Sequence, residues 1–224
     1  MARVCVFDVN ETLLDLGALD PHFERVFGDA GVRRTWFLQL LQSALVSTVT
    51  GVYSDFGTVG AAALEMVAER EGVDLPEEDE QEILGGMREL PPHPEVAKSL
   101  ERLREAGLRT ATLTNSTREV AEAQMENSGL RGYFEQILSA DAVKRLKPAP
   151  EPYMMAAESL GVEIGQVRLV AAHSWDVAGA LRAGCAAAFV ARPGMVLDPL
   201  VERPDVVGVD LREVADRILE VETG

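Results

Sequence analysis

Five short apolar runs, four of them leading into residues able to do chemistry, constrain this chain more than any other feature. Residues 3–7, Arg-Val-Cys-Val-Phe, read as a buried strand that runs into Asp8. Leu108 to Leu113, Gln136 to Leu138, Val167 to Ala171 and Ala187 to Val190 read the same way. Runs this dense in Val, Leu and Ala suit strands covered on both faces, which is the setting of a parallel sheet. Helical patterns separate the later runs, over Glu95 to Ala106, Arg118 to Ser128, Pro150 to Leu160 and Trp175 to Ala183. Strand alternating with helix predicts an α/β fold built on a doubly wound parallel sheet.

One stretch breaks the alternation. From residue 16 to 91 there are helical runs at Pro21 to Ala30, Arg34 to Thr50, Thr58 to Glu71 and Glu77 to Leu90, with no convincing strand among them. The stretch closes on Pro91-Pro92-His93-Pro94, a cluster that stops helices and suits a linker. The expected organisation is a core of residues 1–15 and 92–224 with a helical cap inserted at 16–91. A chain of 224 residues, 47% of them hydrophobic, can build both. No internal repeat or low-complexity segment is present.

The formal net charge of −16 repels phosphate backbones and anionic lipid, so neither nucleic acid nor membrane is an expected partner. A small anionic substrate would need local positive charge at its site. Cys5 and Cys185 sit in apolar contexts and read as buried, reduced thiols. The segment Met1 to Phe7 is too short and too weakly basic for a signal peptide, and no apolar run approaches the roughly 18 residues of a membrane helix. The expectation is a cytoplasmic protein, either a monomer or a homodimer.

Ligands of open α/β sheets bind beyond the carboxyl ends of the strands. After the first strand come Asp8-Val9-Asn10-Glu11-Thr12, and after the second Thr114-Asn115-Ser116. Lys147-Pro148 follows the third, and His173-Ser174-Trp175-Asp176 the fourth. Singly, each has an ordinary reading. Asp8 suits a turn, Thr114 and Asn115 suit a helix cap, Lys147 a solvated surface and Asp176 the first turn of a helix. Together they place two carboxylates, one ammonium and several hydroxyl and amide groups along one sheet edge.

This ordered set resembles the haloacid-dehalogenase superfamily along essentially the whole chain, which implies a Rossmann-like core. Phe7-Asp8-Val9-Asn10-Glu11-Thr12-Leu13-Leu14-Asp15 is similar to its nucleophile motif, Leu113-Thr114-Asn115-Ser116 to its second, Leu146-Lys147-Pro148 to its third and Trp175-Asp176 to its acidic fourth. Thr35-Trp36, Tyr53-Ser54-Asp55-Phe56 and Pro152-Tyr153 resemble the type II 2-haloacid dehalogenases. Asn10 points the same way. Phosphatases of the superfamily carry an Asp at that position to protonate the leaving alcohol, and an amide cannot. Halide leaves as an anion and needs no proton.

The resemblance implies catalysis by Asp8, Lys147 and Asp176 without cofactor or metal. Asp8 attacks the halogen-bearing carbon and forms an ester, and water then attacks that ester to release a 2-hydroxy acid. Lys147 holds the carboxylate pair, Asp176 handles the water, Thr12 bonds Asp8, and Thr114 and Asn115 grip the substrate. Tyr153 is a further candidate for the site.

Two departures bear on the substrate. The cap Arg that follows the Thr-Trp pair in those dehalogenases is replaced by the stretch Phe37-Leu38-Gln39. Gln39 is the candidate substitute, while Arg33 and Arg34 read as surface cations. Ala171-Ala172-His173 stands where that branch offers Ser and Asn. His173 therefore reads either as a satisfied structural residue or as part of the site, and Trp36, Phe37 and Trp175 read as packing. Two other functions stay open: a phosphatase in which Asp8 and Asp176 ligate Mg²⁺, and a non-catalytic relative that binds a small anion or a protein.

Overall fold

The computed structural model describes residues 2–223. Six strands form one parallel sheet in the order β3-β2-β1-β4-β5-β6. They are β1 (Val4–Phe7), β2 (Thr110–Thr114), β3 (Gln136–Ser139), β4 (Val167–Ala171), β5 (Ala186–Val190) and β6 (Val206–Gly208). Successive side chains of a strand point to opposite faces. Val4 and Val6 join Ala111, Leu113, Leu169 and Ala171 in the core beneath α7 (Pro150–Leu160) and α8 (Ser174–Ala183). Cys5 and Phe7 face the other way, into the core shared with α5 (Val96–Glu105), α6 (Arg118–Asn127) and α9 (Leu211–Thr223).

That second core continues without a break into the inserted helices α1 (Asp20–Phe27), α2 (Val32–Thr50), α3 (Phe56–Glu71) and α4 (Glu77–Gly86). Phe23, Trp36, Leu64 and Ile83 are fully buried there. The indole of Trp36 packs 5.4 Å from the Phe23 ring and donates to the Gly60 carbonyl, so the packing role expected of it is the one observed. The insertion leaves and returns side by side: Asp15 donates to the Pro91 carbonyl at 2.9 Å and His93 to that of Leu13 at 3.0 Å.

Several boundaries differ from the sequence reading. The first inserted helix ends at Phe27 rather than Ala30, because Gly28 turns left-handed at φ 72°. The fourth ends at Gly86 rather than Leu90, where Gly85-Gly86 weaken the helix. A Cβ on Gly86 would meet Leu19 Cδ2 at 2.6 Å. Strand β6 and helix α9 went unread: the strand is three residues long, and the apolar spacing of Leu211, Val214, Ala215 and Ile218 is the signal that marks the helix.

Helix α8 lies so close to α7 that Gly179 has no room for a side chain. A Cβ there would sit 2.6 Å from both Pro148 Cβ and the Tyr153 hydroxyl, and 2.9 Å from the Pro148 carbonyl oxygen. Gly179→Ala must push α8 away from backbone, and is expected to cost about 1–3 kcal/mol in denaturant unfolding. A variant as stable as the parent would show that the two helices separate freely.

Candidate active site

Asp8 is the first residue after β1 and stays in register with the sheet, its N–H donating to the Val170 carbonyl at 3.0 Å. The chain then folds back, with Leu13 and Leu14 both donating to the Val9 carbonyl. Thr12, fully buried in this turn, donates its hydroxyl to Asp8 Oδ2 at 2.7 Å and accepts the Ala172 N–H at 2.9 Å. The turn is held from behind by Arg192. Its guanidinium donates to the Thr12 carbonyl through Nε at 2.9 Å and Nη2 at 2.6 Å, and through Nη1 to Glu95.

Lys147 stands between the two carboxylates. Its ammonium donates to Asp8 Oδ1 at 2.9 Å, Asp176 Oδ2 at 2.5 Å and the Leu113 carbonyl at 2.9 Å, which uses all three protons. The side chains of Lys147 and Asp176 are 0% exposed and that of Asp8 is 7% exposed. Asn115 fixes the lysine from its backbone, its Oδ1 accepting the Lys147 N–H at 2.8 Å and its Nδ2 donating to the Lys147 carbonyl at 3.2 Å. Tyr153 donates to Asp176 Oδ1 at 2.5 Å.

The three charges shift one another. Burial pushes the Asp8 carboxyl up, but Lys147, His173 and Thr12 together hold it well below the ordinary carboxylate range. Burial also opposes the Lys147 charge, and Asp176 and Asp8 outweigh it, so the ammonium is held more firmly than usual. Asp176 goes up, through burial and the neighbouring Asp8, with Lys147 offsetting only part of the rise. The pair is therefore unequal, with Asp8 the better-ionised carboxylate and Asp176 the more basic one.

His173 belongs to this cluster. Its Nδ1 lies 3.4 Å from Asp8 Oδ2 and its Nε2 lies 2.9 Å from Glu11 Oε2. Burial alone would lower its pKa, but the contacts to Asp8 and Glu11 raise it from 6.5 to about 9. Phe37 and Trp175 flank the ring, at 6.0 and 5.3 Å between centroids. Arg33 is not the surface cation expected from the sequence. It is 7% exposed, because its guanidinium bonds Asp20 at 2.5 Å and approaches Glu11 at 3.9 Å. Arg34 is exposed, as expected.

Gln39 and Thr114, also expected at the site, make their side-chain hydrogen bonds outside the charged cluster. Gln39 is buried but donates to Ser43 one turn along its own helix. Leu38 is 67% exposed. Thr114 accepts the Ser116 N–H at 3.2 Å at the end of β2. Asn10 accepts from Gln124 at 2.9 Å and reaches Ser116 Oγ at 3.4 Å, so its amide is tied between loops. Glu11, Arg33 and Arg192 were not singled out as site residues by the sequence. Each is joined to the cluster by long-range contacts that no local pattern announces.

Two cavities border the inserted helix α2, and one of them reaches Lys147. One of about 10 Å³ is lined by Leu41, Ala44, Leu45, Asn115, Lys147 and Trp175. The other, of about 400 Å³, lies on the far side of Trp36, among Leu40, Phe56, Leu84, Arg88 and Ser116. Among the described residues, no group of three or more His, Cys, Asp and Glu is placed to hold a metal ion, and no helix is long and apolar enough to cross a membrane.

Comparison with known proteins bears on the family and the fold. A family model described as haloacid dehalogenase-like hydrolase matches residues 2–184. Haloacetate dehalogenase H-2 of Moraxella sp. (strain B) is 29% identical over 201 residues, 89% of this chain and 90% of that protein. The (S)-2-haloacid dehalogenase of Xanthobacter autotrophicus is 30% identical over 194 residues, 86% of this chain and 76% of that protein. A solved L-2-haloacid dehalogenase from Xanthobacter autotrophicus, with chloropropionic acid covalently bound, superposes with a TM-score of 0.91 at 26% identity and full coverage of both chains.

Proposed function

This chain belongs to the haloacid dehalogenase-like hydrolases, and we propose that it removes halide from small 2-haloacids through an ester on Asp8. The observation that carries this reading is the buried Asp8–Lys147–Asp176 arrangement. Asp8 is ionised and aimed from a rigid strand end, as a carboxylate nucleophile must be. Asp176, held by Tyr153 and Lys147 and more basic than usual, is suited to take a proton from water.

The first step forms a bond from an Asp8 oxygen to the substrate carbon and breaks the carbon–halogen bond, releasing halide. In the second, water adds to the Asp8 carboxyl carbon, and the bond to the substrate oxygen breaks to give a 2-hydroxy acid. Lys147 and the protonated His173 supply the local positive charge that attracts a small anion against a net charge of −16. Phe37, in the stretch that stands in place of the cap Arg, packs at a tilt against the His173 ring. Residues 16–91 act as the cap over a core of residues 1–15 and 92–224, with Thr114 and Asn115 at the substrate end.

The Mg²⁺-dependent phosphatase reading is weaker on the chemistry of the donors. The position between the carboxylates that a divalent cation would take is filled by Lys147 Nζ, and the Asn10 amide has no proton to give a leaving alkoxide. The test is release of halide and of phosphate, each with and without EDTA. Halide release from 2-chloropropionate or chloroacetate should persist in EDTA. Phosphate release restored by Mg²⁺, with no halide released from any 2-haloacid, would overturn the reading.

A further inference from the structure

We propose that His173, held in place by Glu11, drives hydrolysis of the Asp8 ester by donating to the carboxyl oxygen that turns negative when water attacks. The inference rests on the ester chemistry above and assigns its second half.

The two oxygens of Asp8 are not equivalent. Oδ1 is bonded by Lys147, which also lines the small cavity with Asn115 and Trp175, and on that ground we assign Oδ1 as the attacking oxygen. Oδ2 is bonded by the Thr12 hydroxyl at 2.7 Å and lies 3.4 Å from His173 Nδ1. If Oδ1 becomes the ester oxygen, Oδ2 is left as the carbonyl oxygen. Water then bonds to the carboxyl carbon, its proton goes to Asp176, and the carbonyl electron pair moves onto Oδ2. Two donors already point there, which is the preorganisation an oxyanion requires. When the bond from the carboxyl carbon to Oδ1 breaks, the departing alkoxide takes the proton from Asp176. Asp8 returns as a carboxylate, and one proton is lost to solvent.

The role demands a donating N–H on Nδ1 while Nε2 is engaged by Glu11. Both ring nitrogens face carboxylate oxygens, which only accept, and a neutral imidazole donates once. The ring must therefore be an imidazolium. The groups around it account for this. Asp8 and Glu11 are its charged contacts, Phe37 and Trp175 are uncharged walls, Arg33 is bonded to Asp20 and approaches Glu11 at 3.9 Å, and Lys147 holds the other oxygen of Asp8.

Ester formation removes the charge of Asp8, and Glu11 is then the carboxylate that keeps the proton on the ring. This gives a reason for the backbone of Glu11, which sits at φ 60°, a conformation that glycine adopts freely and other residues rarely do. Such strain persists where the surroundings impose it, typically at functional sites.

The test separates the two half-reactions by acid quench and intact mass, using a 2-haloacid that the parent enzyme turns over. His173→Gln should still release one halide per site in a burst. The ester should then accumulate on Asp8, its breakdown slowed about a hundredfold, as for loss of one oxyanion donor. Glu11→Gln should move the alkaline limb of ester breakdown down by about one pH unit or more. In the resting protein it should lower the midpoint of the ¹⁵N imidazole titration of His173, which the contact with Glu11 helps to raise. A His173→Gln variant with a raised KM and no accumulated ester would overturn the proposal, making His173 a substrate contact alone. So would an alkaline limb unmoved by Glu11→Gln. If the parent enzyme forms no ester with any 2-haloacid, it is the dehalogenase reading that fails.

Discussion

In a single turnover in H₂¹⁸O with enzyme in excess, the heavy oxygen is expected on Asp8 and not in the hydroxy acid. The carboxylate gives one of its own oxygens to the product and regains one from water, because water attacks the carboxyl carbon rather than the substrate. Asp8→Asn should lower steady-state halide release on the order of 10⁴-fold or more, since an amide is a poor nucleophile. The variant should remain folded. Lys147 keeps Asp176 and the Leu113 carbonyl as partners, and an amide oxygen can still accept from Thr12. A product labelled in the first turnover, with Asp8 unlabelled, would establish direct attack by water and eliminate the ester.

The second large effect is expected at Lys147. In Lys147→Met the two buried carboxylates lose the cation between them, and unfolding in denaturant should become easier by about 3–5 kcal/mol at neutral pH. Activity should fall on the order of 10³-fold, because the pair then retains a proton that the nucleophile must be rid of. The pH dependence supplies a sign check. In the parent, the lowered pKa of Asp8 stabilises the fold above its ordinary value of 3.8 and is lost as pH falls below it. In the variant the raised carboxyls favour the fold more as pH falls. The stability gap should therefore narrow from neutral pH down through about 4. A gap that is constant with pH would mean that Lys147 acts by packing alone.

Five of the six strands were legible because each lies in a short run dense in Val, Leu and Ala, the composition of a strand covered on both faces, while β6, with three residues, was too short to read. Asp8 was visible for the same reason, since it is the residue at which the first run stops, whereas Asp176 lies five residues past the end of β4, in the first turn of α8. Lys147 is farther from its strand, and only its motif made it visible. What escaped was set by distance in sequence. Arg33 looks like a surface residue in a run of charges, and only the fold brings it to Asp20 and Glu11. Glu11 reads as one more acid in an acidic chain until its backbone angle and its contact with His173 are seen. Gln39 was chosen by chemical type alone, and the fold adds that it is buried with its amide donating to Ser43.

The grip of Arg192 on the Thr12 carbonyl reaches beyond the nucleophile turn. Glu95 binds that arginine and also accepts the N–H of Leu211, the first residue of the last helix. The stretch 2–184 that matches the family model contains Asp8, Lys147, His173 and Asp176, yet it stops short of this brace. A fragment ending there would carry every reactive group and lack the tail that keeps the first of them aimed. In this chain the aim of Asp8 therefore rests on Arg192, which lies beyond the stretch that carries the reactive groups.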